Sequence, residues 1–491
     1  MNDRDSVIII GSGIGGMTAG IVLAKLGYRV TIVEKNKLPG GLMRSYSRKG
    51  IECEVGIHYV GALDAGQPLH QIFDLLGVSG RIPLERMGNE GIVDKYLLPN
   101  MTFHFPPGID LLEENLHRAF PGESRQVAEI VFLLRSSLRQ LSLKEILFDK
   151  NQEFDLSVQL QSLDHYFDKL GCSRELRGVL SLPLGWLGVD PDECPLYLWS
   201  SSLSSYLLSS WKPTCSGAAW ADTFAARFRE LGGGIICDDR VENILVQDRV
   251  VQGVLLKSGK QLKAPVVIAA IHPKLMLRLL PDDALKPSFR NRITSLEETH
   301  GVFGIHLAVP EQTVPYRSYN TFLVEDKQPP YKGVTFFTLR RTSKPGYNLL
   351  SMISDGQYEK WKKWEQTTKE HRPRDYQEEK EQEAAMLFDR ASKVFGPLPD
   401  AYLVDAFTPL SFCAWMDSPE GGAYGVSRSV HQKFKTAALH RTPISGLHAV
   451  GQNTFAPGIL GTALGTLRVI AHITGTTVLQ KQFTDLRIQG I

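Results

Sequence analysis

At 491 residues the chain is long enough to bury a large core and should form about two domains. Its composition, 43% hydrophobic and 22% charged, excludes a disordered or fibrous chain, and a formal charge of +2 argues against a nucleic-acid partner. Six scattered cysteines (Cys53, Cys172, Cys194, Cys215, Cys237 and Cys413), with no C-x-x-C pair, argue against a zinc site or a disulfide framework and fit reduced thiols in a cytoplasmic setting.

The polar residues 1–6 lead straight into an apolar run, so no signal peptide is expected. That run, Val7-Ile8-Ile9-Ile10, reads as a buried parallel strand, and Gly11-Ser12-Gly13-Ile14-Gly15-Gly16 follows it as G-x-G-x-x-G at a strand-to-helix turn. Gly11 permits the tight turn, Gly13 lets the backbone approach a pyrophosphate, and Gly16 lets the helix pack closely on the strand. The spacing predicts a helix to residue 26, stopped at Gly27, whose N-terminal N–H groups face the phosphates. A second strand over 29–33 ends at Glu34, placed to accept hydrogen bonds from both ribose hydroxyls and to repel a 2′-phosphate. Strand, glycines, helix, strand and terminal carboxylate within about thirty residues point to an adenine dinucleotide.

Pro39-Gly40-Gly41-Leu42-Met43-Arg44-Ser45 resembles the glycine doublet that follows the ribose-binding Glu in the glutathione reductase type 2 flavoproteins. That group includes amine oxidases, carotenoid desaturases and retinol saturases, and the resemblance implies FAD as the cofactor. Next, Gly56-Ile57-His58-Tyr59-Val60-Gly61 resembles the corresponding segment of retinol saturases and carotenoid isomerases. Cys53 and Glu54 stand where such proteins commonly have Phe and Asp, a departure that bears on substrate more than on fold.

Beyond Gly61 the chain leaves the cofactor unit. Short apolar runs broken by Gly and Pro over 81–108 predict hairpins, and the spacing of Val127, Ile130, Val131, Leu134 and Leu138 predicts a helical block over 109–182. Residues 196–211 are apolar and aromatic between serines and carry no charge; they read as a buried helix rather than an interfacial one. A loop from Trp211 leads into a helix over 220–231, followed by strands at 235–237, 241–246, 250–256 and 265–270. The resemblance brings the chain back to the cofactor here and matches Val241 to the position whose backbone meets the adenine.

Strands over 301–309, 333–339 and 348–353 predict a mixed or antiparallel sheet able to roof a long pocket. The charged stretch 361–383 reads as a solvated helix pair broken at Pro373. The chain returns to the cofactor at Thr408-Pro409 and through Glu420-Gly421-Gly422-Ala423-Tyr424-Gly425-Val426. It ends with a strand running into Gly451-Gln452 and a helix beginning near Ile459 and Leu460, which resembles the C-terminal flavin motif of the same group. The positive end of that helix would favour an anionic reduced flavin. Where many relatives carry an acid near Gly451, Gln452-Asn453 can hydrogen-bond but supplies no charge.

The expected architecture is α/β, with a Rossmann-type FAD-binding domain of glutathione reductase type 2 and a mixed α+β substrate domain. The cofactor parts span 1–70, 213–272 and 416–491; the substrate parts span 71–212 and 273–415. Candidate cofactor-binding residues are Gly11, Gly13, Ile14, Gly15, Gly16, Glu34, Lys35, Gly40, Gly41, Leu42, Val241, Gly451, Gln452, Ile459 and Leu460. His58, Tyr59 and Tyr424 are the candidate groups near the ring or the substrate; the alternative for each is a packed residue that shapes the pocket. No metal site is expected. The resemblance implies an FAD-dependent oxidoreductase acting on C=C bonds of a polyene, retinoid, carotenoid or unsaturated lipid, with saturation favoured over desaturation or isomerisation. It leaves the electron donor or acceptor open and admits peripheral membrane contact. Two alternatives share the scaffold: a flavin amine oxidase, and a lipid carrier of the Rab escort or dissociation-inhibitor type, in which the dinucleotide fingerprint is degraded.

Overall fold

The computed structural model describes residues 5–148, 160–327, 333–368 and 370–488; the polar residues 1–4 lie outside them. Val7, Ile8, Ile9 and Ile10 are buried on both faces of the strand Ser6–Ile10, which sits in the centre of a five-stranded parallel sheet. Its neighbours are Arg29–Val33 and then Gly234–Ile236 on one side, Val266–Ala269 and then Leu447–Ala449 on the other. Three separated stretches of chain therefore build one sheet. The helix Ile14–Lys25 makes the crossover between the first two strands. Gly20 lets that helix settle on the sheet, since a Cβ there would lie 3.0 Å from both Ile32 and Phe228. Beside this sheet lies an antiparallel three-stranded sheet, Val241–Gln247, Val250–Leu256 and Gln261–Lys263.

The rest of the chain forms a second layered unit. Its seven strands run in the order Tyr402–Phe407, Val302–Pro310, Tyr347–Asp355, Val334–Arg341, Asn320–Val324, Asp94–Leu98 and Met101–Phe105. Pairing is antiparallel except between Asn320–Val324 and Asp94–Leu98, so the expected mixed sheet is observed. Helices Ile109–Ala119, Ser124–Gln140, Leu163–Leu170, Arg174–Ser181 and Leu196–Leu208 share an apolar cluster that includes Phe322 and Val324 of this sheet. Leu196, Leu198, Trp199, Leu203 and Leu207 are all buried, as the charge-free sequence of that last helix predicts.

Two expectations fail for identifiable reasons. Ser210–Pro213 is a strand instead of a loop: it pairs with Val60–Gly61 and Leu84–Arg86, and tertiary pairing overrides the loop-like composition of Trp-Lys-Pro. The stretch around Trp361 is helical on both sides of Pro373 but is not solvated throughout. Short helical turns, Tyr358–Trp361 and Lys362–Trp364, precede one long helix, Arg374–Phe395, and the break at Pro373 is where the sequence predicts it. Trp361 and Trp364 are buried against Tyr376, and Trp361 stacks on Phe303 with ring centroids 5.7 Å apart. Aromatic burial fixes that segment where its charges suggested solvent.

Candidate active site

A cavity of about 2810 Å³ runs from the C-terminal ends of the parallel strands to the underside of the seven-stranded sheet. On the first wall, Gly13, Gly15, Gly41 and Gly451 bring backbones together. A Cβ on Gly15 would stand 2.9 Å from Gly451 Cα, and one on Gly41 2.9 Å from Gly13 Cα, whereas one on Gly13 would meet nothing within 4 Å. The helix Ile14–Lys25 has no side-chain cap and no acid in its first turn, and the same is true of Gly458–Thr474. Ile14 and Gly15 at one N-terminus and Ile459, Leu460 and Gly461 at the other line the same cavity. Two sets of uncapped N–H groups thus converge on one space, an arrangement suited to phosphates and to an electron-rich ring edge.

Glu34 is 5% exposed and accepts four hydrogen bonds: Ser12 N at 3.1 Å, Ser12 Oγ at 2.5 Å, Asn36 N at 2.9 Å and Asn36 Nδ2 at 2.9 Å. These use the lone pairs that ribose hydroxyls would need, so ribose binding exchanges side-chain donors for sugar donors. Beyond it, Lys35 pairs with Asp417 at 2.7 Å, and Arg240 lies 3.3 Å from the same carboxylate.

The opposite wall is aromatic. Tyr59 and Tyr206 have ring centroids 4.8 Å apart, Tyr59 lies parallel to Phe336 at 6.2 Å, and His58 tilts over Phe336 at 5.6 Å. Phe322 backs Phe336, and Tyr424 is held through its backbone N–H to Thr299 Oγ1 at 3.0 Å. Burial pushes the Tyr424 phenol up to about 12, so its hydroxyl stays protonated.

Behind His58 stands a buried ionic group. Glu54 Oε1 lies 2.6 Å from Arg340 Nε, and Glu54 Oε2 lies 3.4 Å from His58 Nδ1, an ion-pair distance at the outer limit of a hydrogen bond. Burial alone would raise the Glu54 carboxyl, but His58 and Arg340 outweigh it and hold it below the usual range. Nearby, His306 is 1% exposed, bonds Ser351 Oγ at 2.9 Å, and is pushed by burial down to about 4. His58 thus stands at the cavity wall with a carboxylate behind it.

Of the residues singled out from sequence, the structure gathers all but two onto the wall of this cavity. Gly16 and Gly40 lie just behind it, where a Cβ would press on Gly11 O at 2.1 Å and on Ala221 Cβ at 2.4 Å. Sequence reasoning missed Ser12 and Asn36 as partners of Glu34, and it missed the aromatic residues Tyr206, Phe322 and Phe336. It also gave no role to Glu54, Asp94 or Arg340. The last two sit on apolar strands, where a lone charge reads as a solvent-facing position. Among the described residues, no group of three or more His, Cys, Asp or Glu could hold a metal ion, and no helix is long and apolar enough to cross a membrane.

Parallel sheet, glycine turn, terminal carboxylate and a cavity shared with a second layered unit define a dinucleotide-dependent oxidoreductase. Residues 9–76 match the family model of the NAD(P)-binding Rossmann-like domain. Over nearly its whole length the chain is a homologue of proteins named all-trans-retinol 13,14-reductase and prolycopene isomerase. It is 24% identical to the zebrafish (Danio rerio) reductase, covering 95% of this chain and 85% of that protein. Against prolycopene isomerase 1 of an Oncidium hybrid cultivar it is 23% identical over 97% of this chain and 84% of the other. In fold it is similar to an oxidoreductase from Methanosarcina mazei, with a TM-score of 0.68, 16% identity, and coverage of 95% and 99%.

Proposed function

We propose that the chain binds FAD along the glycine wall and uses it to saturate a C=C bond of a long apolar polyene, retinoid or unsaturated lipid held on the aromatic wall. The observation that carries this reading is that one cavity joins two uncapped helix N-termini and the Glu34 carboxylate to a wall of stacked rings. The three cofactor segments, 1–70, 213–272 and 416–491, supply the first wall, and the segments 71–212 and 273–415 supply most of the second. FAD, when bound, supplies hydride transfer, which leaves the protein to position a substrate carbon and exclude water.

The residues present fit that group. Gly13, Gly15, Gly41 and Gly451 admit a pyrophosphate against backbone, and Glu34, with Lys35 beyond it, meets the ribose end. Gln452, Ile459 and Leu460 frame the ring end without a negative charge. On the far wall Tyr59, Tyr206 and Phe336 present flat faces to a conjugated chain, and Tyr424 and His58 limit where along the chain the reacting carbons sit. His58, held from behind by Glu54, shapes the wall beside the reacting carbons. The names of the relatives support C=C chemistry over amine oxidation. The intact Gly11, Gly13, Gly16 and Glu34 set speaks against a carrier that has lost its cofactor.

Peripheral membrane contact belongs to the same reading, because such substrates partition into lipid. Lys433, Thr436 and Ala437 line the cavity, and the adjoining Phe434 is 73% exposed between Lys433 and Lys435. Flotation with anionic liposomes tests this, and Phe434→Ser should weaken it.

The deciding experiment is anaerobic. The flavin of the purified protein is reduced, mixed with carotenoids, retinoids and unsaturated fatty acids, and followed by absorbance and product mass together. Reoxidation with a product two hydrogens heavier is expected. A flavin that stays reduced with every polyene, or peroxide formed from simple amines, overturns the reading. His58→Phe should slow that reoxidation with flavin content unchanged, because it re-cuts the wall against which the polyene is positioned.

A further inference from the structure

A chain of buried polar groups lies behind Tyr59. Tyr59 lines the cavity, and its hydroxyl donates to Asp94 Oδ2 at 3.1 Å. Asp94 is fully buried at the head of the strand Asp94–Leu98, where its parallel neighbour Asn320 stands in register and donates Nδ2 to Oδ1 at 2.9 Å. Lys212 is 2% exposed; its Nζ lies 3.5 Å from Asn320 Oδ1 and 3.4 Å from Ser318 O. Asn320 therefore stands between carboxyl and ammonium.

A carboxyl so placed takes up a proton readily, because burial penalises the anion and the compensating cation is one side chain away. Burial pushes Asp94 up to about 7, against the lowering by Asn320, Tyr59 and Lys212. Burial pushes Lys212 down to about 8, against Glu54, Glu85 and Asp94. The other titratable groups that face Asp94 are Tyr96 and Tyr206, both raised chiefly by burial. Ionised Asp94 engages the single O–H of Tyr59. Protonated Asp94 can instead donate to the Tyr59 oxygen, which turns the phenol O–H toward the cavity.

We infer that Asp94 is the acid behind Tyr59: in its protonated form it directs the Tyr59 O–H at the substrate, and Tyr59 supplies the proton that completes C=C saturation. The inference rests on the saturase reading given above. Bound reduced flavin would supply the hydride for one alkene carbon, and the neighbouring carbon gains the Tyr59 proton. The Tyr59 O–H bond breaks with its electron pair kept on oxygen, and the Asp94 proton restores the phenol. Asp94 ends as a carboxylate near the Lys212 ammonium and recovers a proton from water before the next turnover. The substrate gains two hydrogens, and charge balances.

Infrared difference spectra of the substrate-free holoprotein, taken as pH is raised, test the first half. A protonated carboxyl band should disappear with a midpoint near 7. The band should be absent in Asp94→Asn, and its midpoint should move upward in Tyr59→Phe, because the phenol hydrogen bond favours the anion. Single-turnover reoxidation of reduced holoenzyme by all-trans-retinol tests the second half. In the wild type the rate should fall as pH rises through that midpoint. In Asp94→Asn it should be pH-independent and about 100-fold slower with flavin content unchanged, and Asp94→Glu should restore the pH dependence. A missing carboxyl band, or an Asp94→Asn enzyme that keeps the wild-type pH profile, overturns the inference. A titrating band in a protein that saturates no polyene would instead overturn the saturase reading, and with it the destination of the proton.

Discussion

The two walls of the cavity are made of different material. On the side of the parallel sheet, the wall is backbone: glycines at 11, 13, 15, 41 and 451, two helix N-termini, and the buried carboxylate of Glu34. On the opposite side it is side chain: Tyr59, Tyr206, Phe322 and Phe336, supported by the ionic group of Glu54 and Arg340. Backbone recognition tolerates almost no added atom, whereas a wall of rings can be re-cut by substitution. The first wall should therefore fail abruptly on mutation and the second by degrees.

The sharpest test is a pair of glycines, Gly13 on the first wall and Gly16 just behind it. A Cβ at Gly16 would stand 2.1 Å from Gly11 O, a backbone atom that cannot give way, so Gly16→Ala should cost several kcal/mol of stability and leave the protein without bound cofactor. Gly13 has an ordinary extended backbone, φ −63° and ψ 179°, and open space where its Cβ would point. Gly13→Ala should therefore fold with unchanged thermal stability as apoprotein and still lose the dinucleotide, as read by flavin absorbance after purification. If both variants retain cofactor, the turn is a packing motif and the first wall is misassigned.

The ionic support of the second wall comes next. Arg340→Met leaves Glu54 buried without its nearest cation, and about 3–5 kcal/mol of unfolding free energy should be lost in denaturant titration. The double variant Glu54→Gln with Arg340→Met should recover a good part of that loss, because no uncompensated charge remains. Equal losses in single and double variants would mean that the pair's packing matters and its charge does not.

These two regions were unequally legible in the sequence. G-x-G-x-x-G and the carboxylate after the second strand are local in sequence because the physics is local: one turn, one helix end and one strand end make most of the first wall. The second wall is assembled from Tyr59, Tyr206, Phe322 and Phe336, which lie far apart along the chain: two come from strands of the seven-stranded sheet, Tyr206 from the helix Leu196–Leu208 and Tyr59 from the segment before Val60–Gly61. Nothing near Phe336 in sequence marks it as a wall residue. Glu54, next to the saturase-like segment, stood out as a departure, yet its partner Arg340 is contributed by a strand nearly three hundred positions later. Lys212 hid a strand, because a buried lysine between Trp and Pro has the composition of a loop. Trp361 and Trp364 reversed the reading of a charged stretch for the opposite reason, since two aromatic anchors among charges are enough to bury a turn.

A smaller effect follows from His306, which is fully buried among Glu54, Ser351 and Phe407. Its imidazole is neutral in the fold, with burial holding it near 4 against an ordinary value of 6.5. As pH falls below 6.5 the unfolded chain takes up the proton first, so stability is lost progressively down to about 4, by about 3 kcal/mol for this one group. Asp94 works in the opposite sense over much of the same window, because its raised folded value favours the protonated form as pH falls. The total slope therefore mixes both. The difference between wild type and His306→Asn isolates the histidine: the two curves should converge as pH falls toward 4.

The smallest effect is at Val241, where the resemblance implies contact through backbone only. Val241 opens the strand Val241–Gln247, pairs with Leu256, and is 4% exposed in the apolar cluster with Ile8, Ile10 and Val33. It also lines the cavity, so either its main chain or its side chain could face the dinucleotide. Val241→Ala removes methyl groups without touching the peptide, and should cost about 1 kcal/mol in stability while leaving cofactor affinity within about twofold. Isothermal titration of the apoprotein with FAD, beside a denaturant melt, separates the two quantities. Unchanged affinity with reduced stability would extend the backbone character of the first wall beyond its glycines. A tenfold weaker affinity with unchanged stability would mean that a side chain reads the adenine end, and the contrast between the two walls would then hold only around the pyrophosphate.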